Sequence, residues 1–272
     1  MRAPLSWLRE YAALADDLDG RTLADALIRA GLEVETVDHV GSDVSGPLVI
    51  GKVLAYEVEV HSNGKSIRWC QVDVGSHNDS SGSRSVVCGA HNFEVGNFVV
   101  VALPAAVLPG GFGISARKTY GHVSHGMICS ARELGLGDDH TGILVLDEPD
   151  LEPGNDAAPV LQLREEVLDI AVTADRGYCL SIRGIAREAA QALGVAFTDP
   201  VDRVVPAETT DGYPVELMSE ACPLFVAVTV TGIDPTRPSP RWLARRVQLA
   251  GMRSISLAVD ITNYVMLETG QP

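Results

Sequence analysis

The sequence predicts an α+β fold of more than one domain, in which a small β barrel or sandwich interrupts helical segments. Three observations predict it. From about Val40 to Leu151 the chain is a succession of short apolar stretches separated by turn residues, the texture of a small closed barrel or sandwich. On either side, apolar residues recur at helical spacing. The 272 residues, 46% hydrophobic and 21% charged, have a globular composition and amount to roughly two domains.

The first helix is carried by Leu23, Ala26, Leu27 and Ala30, at i, i+3, i+4 and i+7. Gly31 caps it and residues 32–37 alternate as a strand. Residues 53–61 and 67–74 form a hairpin through Ser62-Asn63-Gly64-Lys65, because Asn-Gly accommodates two positive φ angles. Residues 75–83 form a polar loop that buries nothing, and residues 84–88 and 98–103 are further strands. Glu152-Pro153-Gly154-Asn155 marks a boundary. A second helix starts at Ser181, its N-cap, runs to Leu193 and stops at Gly194. Residues 198–214, rich in Pro, Asp and Thr, read as a linker. Near the end, Ser239 is expected at an N-cap with Pro240 at the first helical position. Leu243, Val247 and Ala250 then line one face and Gly251 ends the helix. Residues 256–259 read as a strand, followed by a helix capped by Asp260 and running through Met266.

The formal charge is −15, from 36 acidic and 21 basic side chains. Such a surface repels a polyanion except where basic groups gather. No region is basic as a whole: residues 1–39 carry −4, 40–151 carry −5 and 152–272 carry −6. The N-terminus lacks the apolar core of a signal peptide, and the longest apolar run, 98–108, is interrupted by Pro104 and too short to span a bilayer. Five scattered cysteines without a CxxC pair fit reduced thiols better than a disulfide framework. A cytoplasmic protein without a membrane partner is expected.

Candidate chemistry is sparse. His122, His125 and Cys129, with Cys88 and His91, have spacings a metal could use, but they match no standard zinc signature. Buried cysteines beside a Gly-flanked loop are the preferred reading, and no metal site is expected. Ser124 and Ser130 lie near histidines but on no nucleophile elbow. Gly110-Gly111-Phe112-Gly113 is a turn, since no Lys-Ser/Thr follows as in a P-loop. Two basic spots remain. Arg117-Lys118, with His122 and His125 nearby, could meet phosphate, helped by stacking aromatics such as Phe112 or Tyr120. Arg241 and Arg245 lie one helical turn apart, either as a solvated helix face or as a phosphate-facing one.

Residues 86–137 resemble the OB-fold tRNA-binding module through Cys88-Gly89-Ala90-His91-Asn92, a drawn-out 102–111 element ending Pro109-Gly110-Gly111, and Gly126-Met127-Ile128-Cys129-Ser130-Ala131-Arg132-Glu133-Leu134-Gly135-Leu136-Gly137. The flanks choose among the families that carry this module. Ser6-Trp7-Leu8-Arg9-Glu10-Tyr11, residues 30–35 and 175–188, Pro238-Ser239-Pro240 with Trp242-Leu243, and residues 259–268 resemble the β subunit of bacterial phenylalanyl-tRNA synthetases, in that family's order.

The resemblance implies an OB-fold β barrel (40–151) inserted in a small α/β domain (1–39 with 152–197), followed by the start of an α/β editing domain (198–272). It implies a heterotetramer of two α and two β subunits that charges tRNA with phenylalanine. The α subunits hold the aminoacylation site with ATP and Mg²⁺; no cofactor is expected on this segment. Editing has a physical reason: an apolar pocket rejects an added hydroxyl by only about 10²-fold, so tyrosine attached to the tRNA must be hydrolysed at a second site. The family's editing-pocket residues map onto Thr262, Asn263 and Pro272; ordinary capping and turn chemistry is the plain alternative for the first two. A histidine that follows that proline by two positions in the family lies past the last residue here, so an N-terminal fragment unable to edit alone is expected. From the basic spots, Arg117, Lys118, His122, Arg241 and Arg245 are the candidate tRNA contacts. The rivals are a stand-alone tRNA-binding OB-fold module without catalysis, which the flanking motifs disfavour, and a free-standing editing hydrolase, which needs a complete editing domain.

Overall fold

The computed structural model describes the chain apart from residues 63, 138–140, 202–206, 208–211, 224 and 272. Its elements begin with β1 (Arg2–Pro4), α1 (Leu5–Arg9), α2 (Gly20–Arg29), β2 (Glu33–Val40), β3 (Leu48–Val60), β4 (Ser66–Asp73) and β5 (Arg84–Cys88). Then come β6 (Phe98–Ala102), β7 (Val107–Leu108), β8 (Phe112–Gly113), β9 (Arg117–Thr119), β10 (His122–Ser124), β11 (Met127–Ile128) and β12 (Val145–Leu146). The last are α3 (Ala157–Val160), β13 (Glu165–Ala171), α4 (Ile182–Leu193), α5 (Arg241–Leu249) and α6 (Leu257–Thr269). Residues 1–37 with 168–272 form one compact unit and residues 38–167 another. Among the described residues no helix is long and apolar enough to cross a membrane.

In the first unit side-chain caps start α2 and α4, the second at the residue the sequence predicts. The Asp19 carboxylate accepts the Thr22 N–H at 2.7 Å to start α2. Ser181 Oγ accepts the Gly184 N–H at 3.0 Å to start α4, and Gly194, at φ +67, ends it. A side chain at Gly184 would run into the Tyr178 carbonyl. Trp7, Leu8, Leu23, Leu27, Leu168, Ile170, Ile182 and Ile185 fill the core.

The C-terminal helices depart from the sequence reading. Pro240, not Ser239, is the N-cap of α5; the Ser239 hydroxyl donates instead to Asp260 Oδ2 at 2.5 Å. Residues 256–259 are not a strand: Ser256 is the N-cap residue of α6, and Asp260 lies within its first turn. Docking overrides the β-branched character of Val259, Ile261 and Thr262, because Asp260 is fully buried and also receives the Ser254 hydroxyl at 2.5 Å and the Ile255 N–H at 2.9 Å. Burial alone would raise the Asp260 carboxyl, but these donors hold it below the usual range.

The second unit is built on an antiparallel sheet in the order β11-β6-β3-β4-β5, with β12 also paired to β6. The long β3 pairs with β6 through its first half and with β4 through its second, with a register shift between Val53 and Ala55. Gly51 sits where a Cβ would press on Val101 and Val72, so a larger residue would block the bend. The two edges nearly close: Val87 on β5 donates to Ser124 Oγ at 3.0 Å, and His125 donates to Ser85 O at 2.9 Å, just ahead of β11. Odd positions Val49, Val53, Val99 and Val101 face one apolar cluster. Leu48, Ile50, Val100 and Ala102 face another, capped by Ala157, Leu161 and Leu163. Cover on both faces explains the unbroken apolar run in β6.

Residues 75–83 are more structured than a solvated loop. Asn78 Oδ1 accepts the Val74 N–H at 2.8 Å, Gly75 is at φ +57 against the Pro153 carbonyl, and Ser83 is buried. Between β3 and β4 the connection spans 61–65, with His61 N–H donating to Lys65 O at 2.9 Å; Asn63 of the expected Asn-Gly pair lies outside the described residues, as does most of the linker at 202–211.

Candidate nucleic-acid interface

The β9–β10 hairpin turns through Tyr120 and Gly121, both with positive φ (+52 and +87), a two-residue connection of the type that matches strand twist. It pairs Arg117 with Ser124 and Lys118 with Val123. Arg117 and Lys118 are exposed and form no ion pair among the described residues. His122 is engaged: its Nε2 lies 2.8 Å from Glu59 Oε1, and its ring stacks on Trp69 at 4.3 Å between centroids. His61 Nε2 stands 3.5 Å from the other Glu59 oxygen, and its ring lies 4.5 Å from Tyr120. The hairpin therefore offers two open cations beside a carboxylate bracketed by two imidazoles. Phe112 projects from the neighbouring β7–β8 turn and is 54% exposed.

Two of the motif stretches, 88–92 and 126–137, meet around one open groove of about 590 Å³, lined by Val87, Cys88, Gly89, Met127, Arg132 and Glu133 among others. Their polar side chains hold its walls. Asn92 accepts the Ile143 N–H at 3.0 Å and donates to Ile143 O at 2.9 Å. Ser130 and Glu133 form a capping box: the carboxylate accepts the Ser130 N–H and O–H at 2.7 and 2.8 Å, and Ser130 Oγ accepts the Glu133 N–H. The Ser-x-x-Glu spacing was the signal for this pair. Arg68 is a second group the sequence reading passed over. Its buried guanidinium lies 4.1 Å from the Tyr56 ring centroid and 4.7 Å from that of Phe93, and it donates to the Phe93 carbonyl.

Cys70, Cys88, Cys129 and Cys179 are free and buried, and Cys222 is free and exposed. Burial pushes the Cys70 and Cys129 thiols up to about 12, far from thiolate ligands. Among the described residues no group of three or more His, Cys, Asp or Glu could hold a metal ion. The hydroxyl of Ser124 donates to Gly126 O and that of Ser130 to Glu133.

On α5, Arg241 is half-buried and Arg245 only 6% exposed, so the pair does not present an open basic stripe. Arg246 is the engaged cation: it forms a two-point pair with Glu10, donates to Tyr264 Oη at 3.1 Å and lies over the rings of Trp7, Trp242 and Tyr264. Tyr264 stacks on Trp7 at 4.8 Å, and both Tyr264 and Tyr11 donate to Glu268. Two residues of the 259–268 motif thus serve docking. Thr262 is exposed on α6, its hydroxyl donating to Val259 O at 2.8 Å, and Asn263 is half-buried. Pro272 lies outside the described residues.

A tRNA binding domain model matches residues 48–156, from the first residue of β3 to the N-cap of α3. A B3/4 domain model matches residues 221–272, which contain α5 and α6. The chain is 60% identical over its whole length to the phenylalanine–tRNA ligase beta subunit of Thermobifida fusca, 58% to that of Streptomyces avermitilis and 52% to that of Mycolicibacterium paratuberculosis. Along its whole length the chain is similar to these phenylalanine–tRNA ligase beta subunits. It spans about a third of the length of these curated relatives, 33% in each case. The barrel unit coincides with the match to the tRNA binding domain model, and its nearly closed sheet is OB-like.

Proposed function

We propose that this chain serves as the N-terminal part of the beta subunit of a cytoplasmic phenylalanine–tRNA ligase, which charges tRNA(Phe) with phenylalanine at the expense of ATP. The observation that carries the reading is 60% identity over an alignment that spans the whole chain, flanks and barrel alike, and it disfavours a stand-alone binding module. The domain plan is an OB barrel inserted in a small α/β domain, with the front of an editing domain from about residue 198. ATP, Mg²⁺ and the aminoacylation site belong to an alpha partner in a heterotetramer of two alpha and two beta subunits.

On the barrel, exposed Arg117 and Lys118 meet tRNA phosphates, while His122 positions the hairpin through Glu59. On α6, Thr262 and Asn263 border the site where tyrosyl-tRNA(Phe) is hydrolysed. The test is made in the full heterotetramer. Arg117→Ala with Lys118→Ala should weaken tRNA binding and lower the slope of log affinity against log salt by about 2; an unchanged slope overturns the phosphate role. Thr262→Ala with Asn263→Ala should slow tyrosyl-tRNA deacylation by about tenfold or more and leave phenylalanylation intact; equal loss of both activities overturns the editing role.

A further inference from the structure

We propose that Tyr11, which lies far ahead of the B3/4 match, is a positioning residue for the hydrolysis of tyrosyl-tRNA: acting through Glu268, it fixes the rotation of α6 and with it the direction of Thr262. The inference rests on the reading of Thr262 and Asn263 as the border of that site and adds what holds them there. Along one stripe α6 carries Asp260, Tyr264, Leu267 and Glu268, at i, i+4, i+7 and i+8, which share a helix face. Asp260 and Leu267 are buried, and Tyr264 and Glu268 half-buried. Thr262 precedes Tyr264 by two residues, about 200° around the helix, and is exposed. Whatever sets the stripe therefore sets where Thr262 points.

Two points of the stripe, one turn apart, are set by the N-terminal segment. Tyr264 stacks on the fully buried Trp7 at 4.8 Å. Glu268 accepts the Tyr264 hydroxyl at 2.9 Å and the Tyr11 hydroxyl on the same oxygen. Tyr11 is itself anchored through its backbone: its N–H donates to Leu8 O at 3.1 Å, and its carbonyl accepts the Thr198 N–H at 2.7 Å. Burial and the Glu268 hydrogen bond raise the Tyr11 phenol above its ordinary range, so it remains a donor around neutral pH. The leverage is large. A roll of about 10° carries atoms at the outer radius of a helix, about 5 Å, through about 1 Å. Misplacement on that scale costs a reaction up to about 10²-fold.

The experiment uses the full heterotetramer, with phenylalanylation as the measure of intact assembly. Tyr11→Phe removes one hydroxyl and should lower kcat for tyrosyl-tRNA deacylation about tenfold, with KM and phenylalanylation unchanged. Glu268→Leu should lower kcat at least as far, and adding Tyr11→Phe to it should cost nothing more. Glu268→Gln keeps an acceptor oxygen for both phenols and should retain kcat. Parallel loss of both activities, or a change in KM alone, means a merely structural role and overturns the proposal. Where Tyr11→Phe fails to assemble, the contrast between Glu268→Leu and Glu268→Gln decides, and equal rates overturn it. An unchanged Tyr11→Phe enzyme beside a slowed Thr262→Ala, Asn263→Ala enzyme overturns the positioning role alone. If that pair is also unslowed, the editing reading falls with it.

Discussion

Two stretches of the first unit, residues 212–233 and the helices α5 and α6, both carry apolar side chains and differ completely in what they do with them. On α6, Tyr264 is stacked on Trp7 and held by Arg246, and Leu267 is buried. In 212–233 the described residues form neither helix nor strand, and Tyr213, Met218, Phe225, Val228 and Val230 are all more than half exposed. Apolar content supplies a driving force only where a partner face receives it. For α6 the receiving face is the N-terminal segment, through Trp7 and Tyr11.

That comparison can be broken by experiment. The largest effect is expected for Trp7→Ala, which removes the fully buried ring beneath Tyr264 and should cost about 3–5 kcal/mol in denaturant unfolding; a loss under about 1 kcal/mol would mean α6 is held by other contacts. Next comes Asp260→Asn, which leaves the donors from Ser239, Ser254 and Ile255 facing a poorer acceptor and should cost about 1.5–3 kcal/mol. Its pH dependence has a definite sign. The folded carboxyl is held below its unfolded value, so its contribution is complete above about pH 4 and disappears as pH falls through the folded value. Unfolding curves of the two chains should converge in acid; a constant gap would refute the charged role. The smallest effect is expected for Val228→Thr, at 70% exposure, within about 0.5 kcal/mol. A cost above about 1 kcal/mol would place Val228 in a packed environment and dissolve the contrast.

Local signals in the sequence were legible where the chemistry is local. Ser181 and Gly194 bound α4, and the 98–103 run became β6, over Phe98–Ala102. What failed depended on distant partners. Residues 256–259 read as a strand, whereas the hydroxyls of Ser239 and Ser254 that converge on Asp260 are brought there only by the fold. The basic residues divided in the same way. Nothing in the spacing of Arg241, Arg245 and Arg246 reveals that Arg245 is buried or that Arg246 is claimed by Glu10 and three aromatic rings. At the groove, Ser130-x-x-Glu133 was readable as a capping box, but the clamp of Asn92 on Ile143, 51 residues away, was not.

The placement of the three tryptophans gives each unit its own optical reporter. Trp7 and Trp242 flank Tyr264 in one unit, and Trp69 lies against His122 in the other. A Trp69→Phe chain therefore emits only from the helical unit, and a chain carrying Trp7→Phe and Trp242→Phe only from the barrel. Indole fluorescence can then follow loss of the α6 docking and opening of the β9–β10 hairpin as separate events, with no label attached to either.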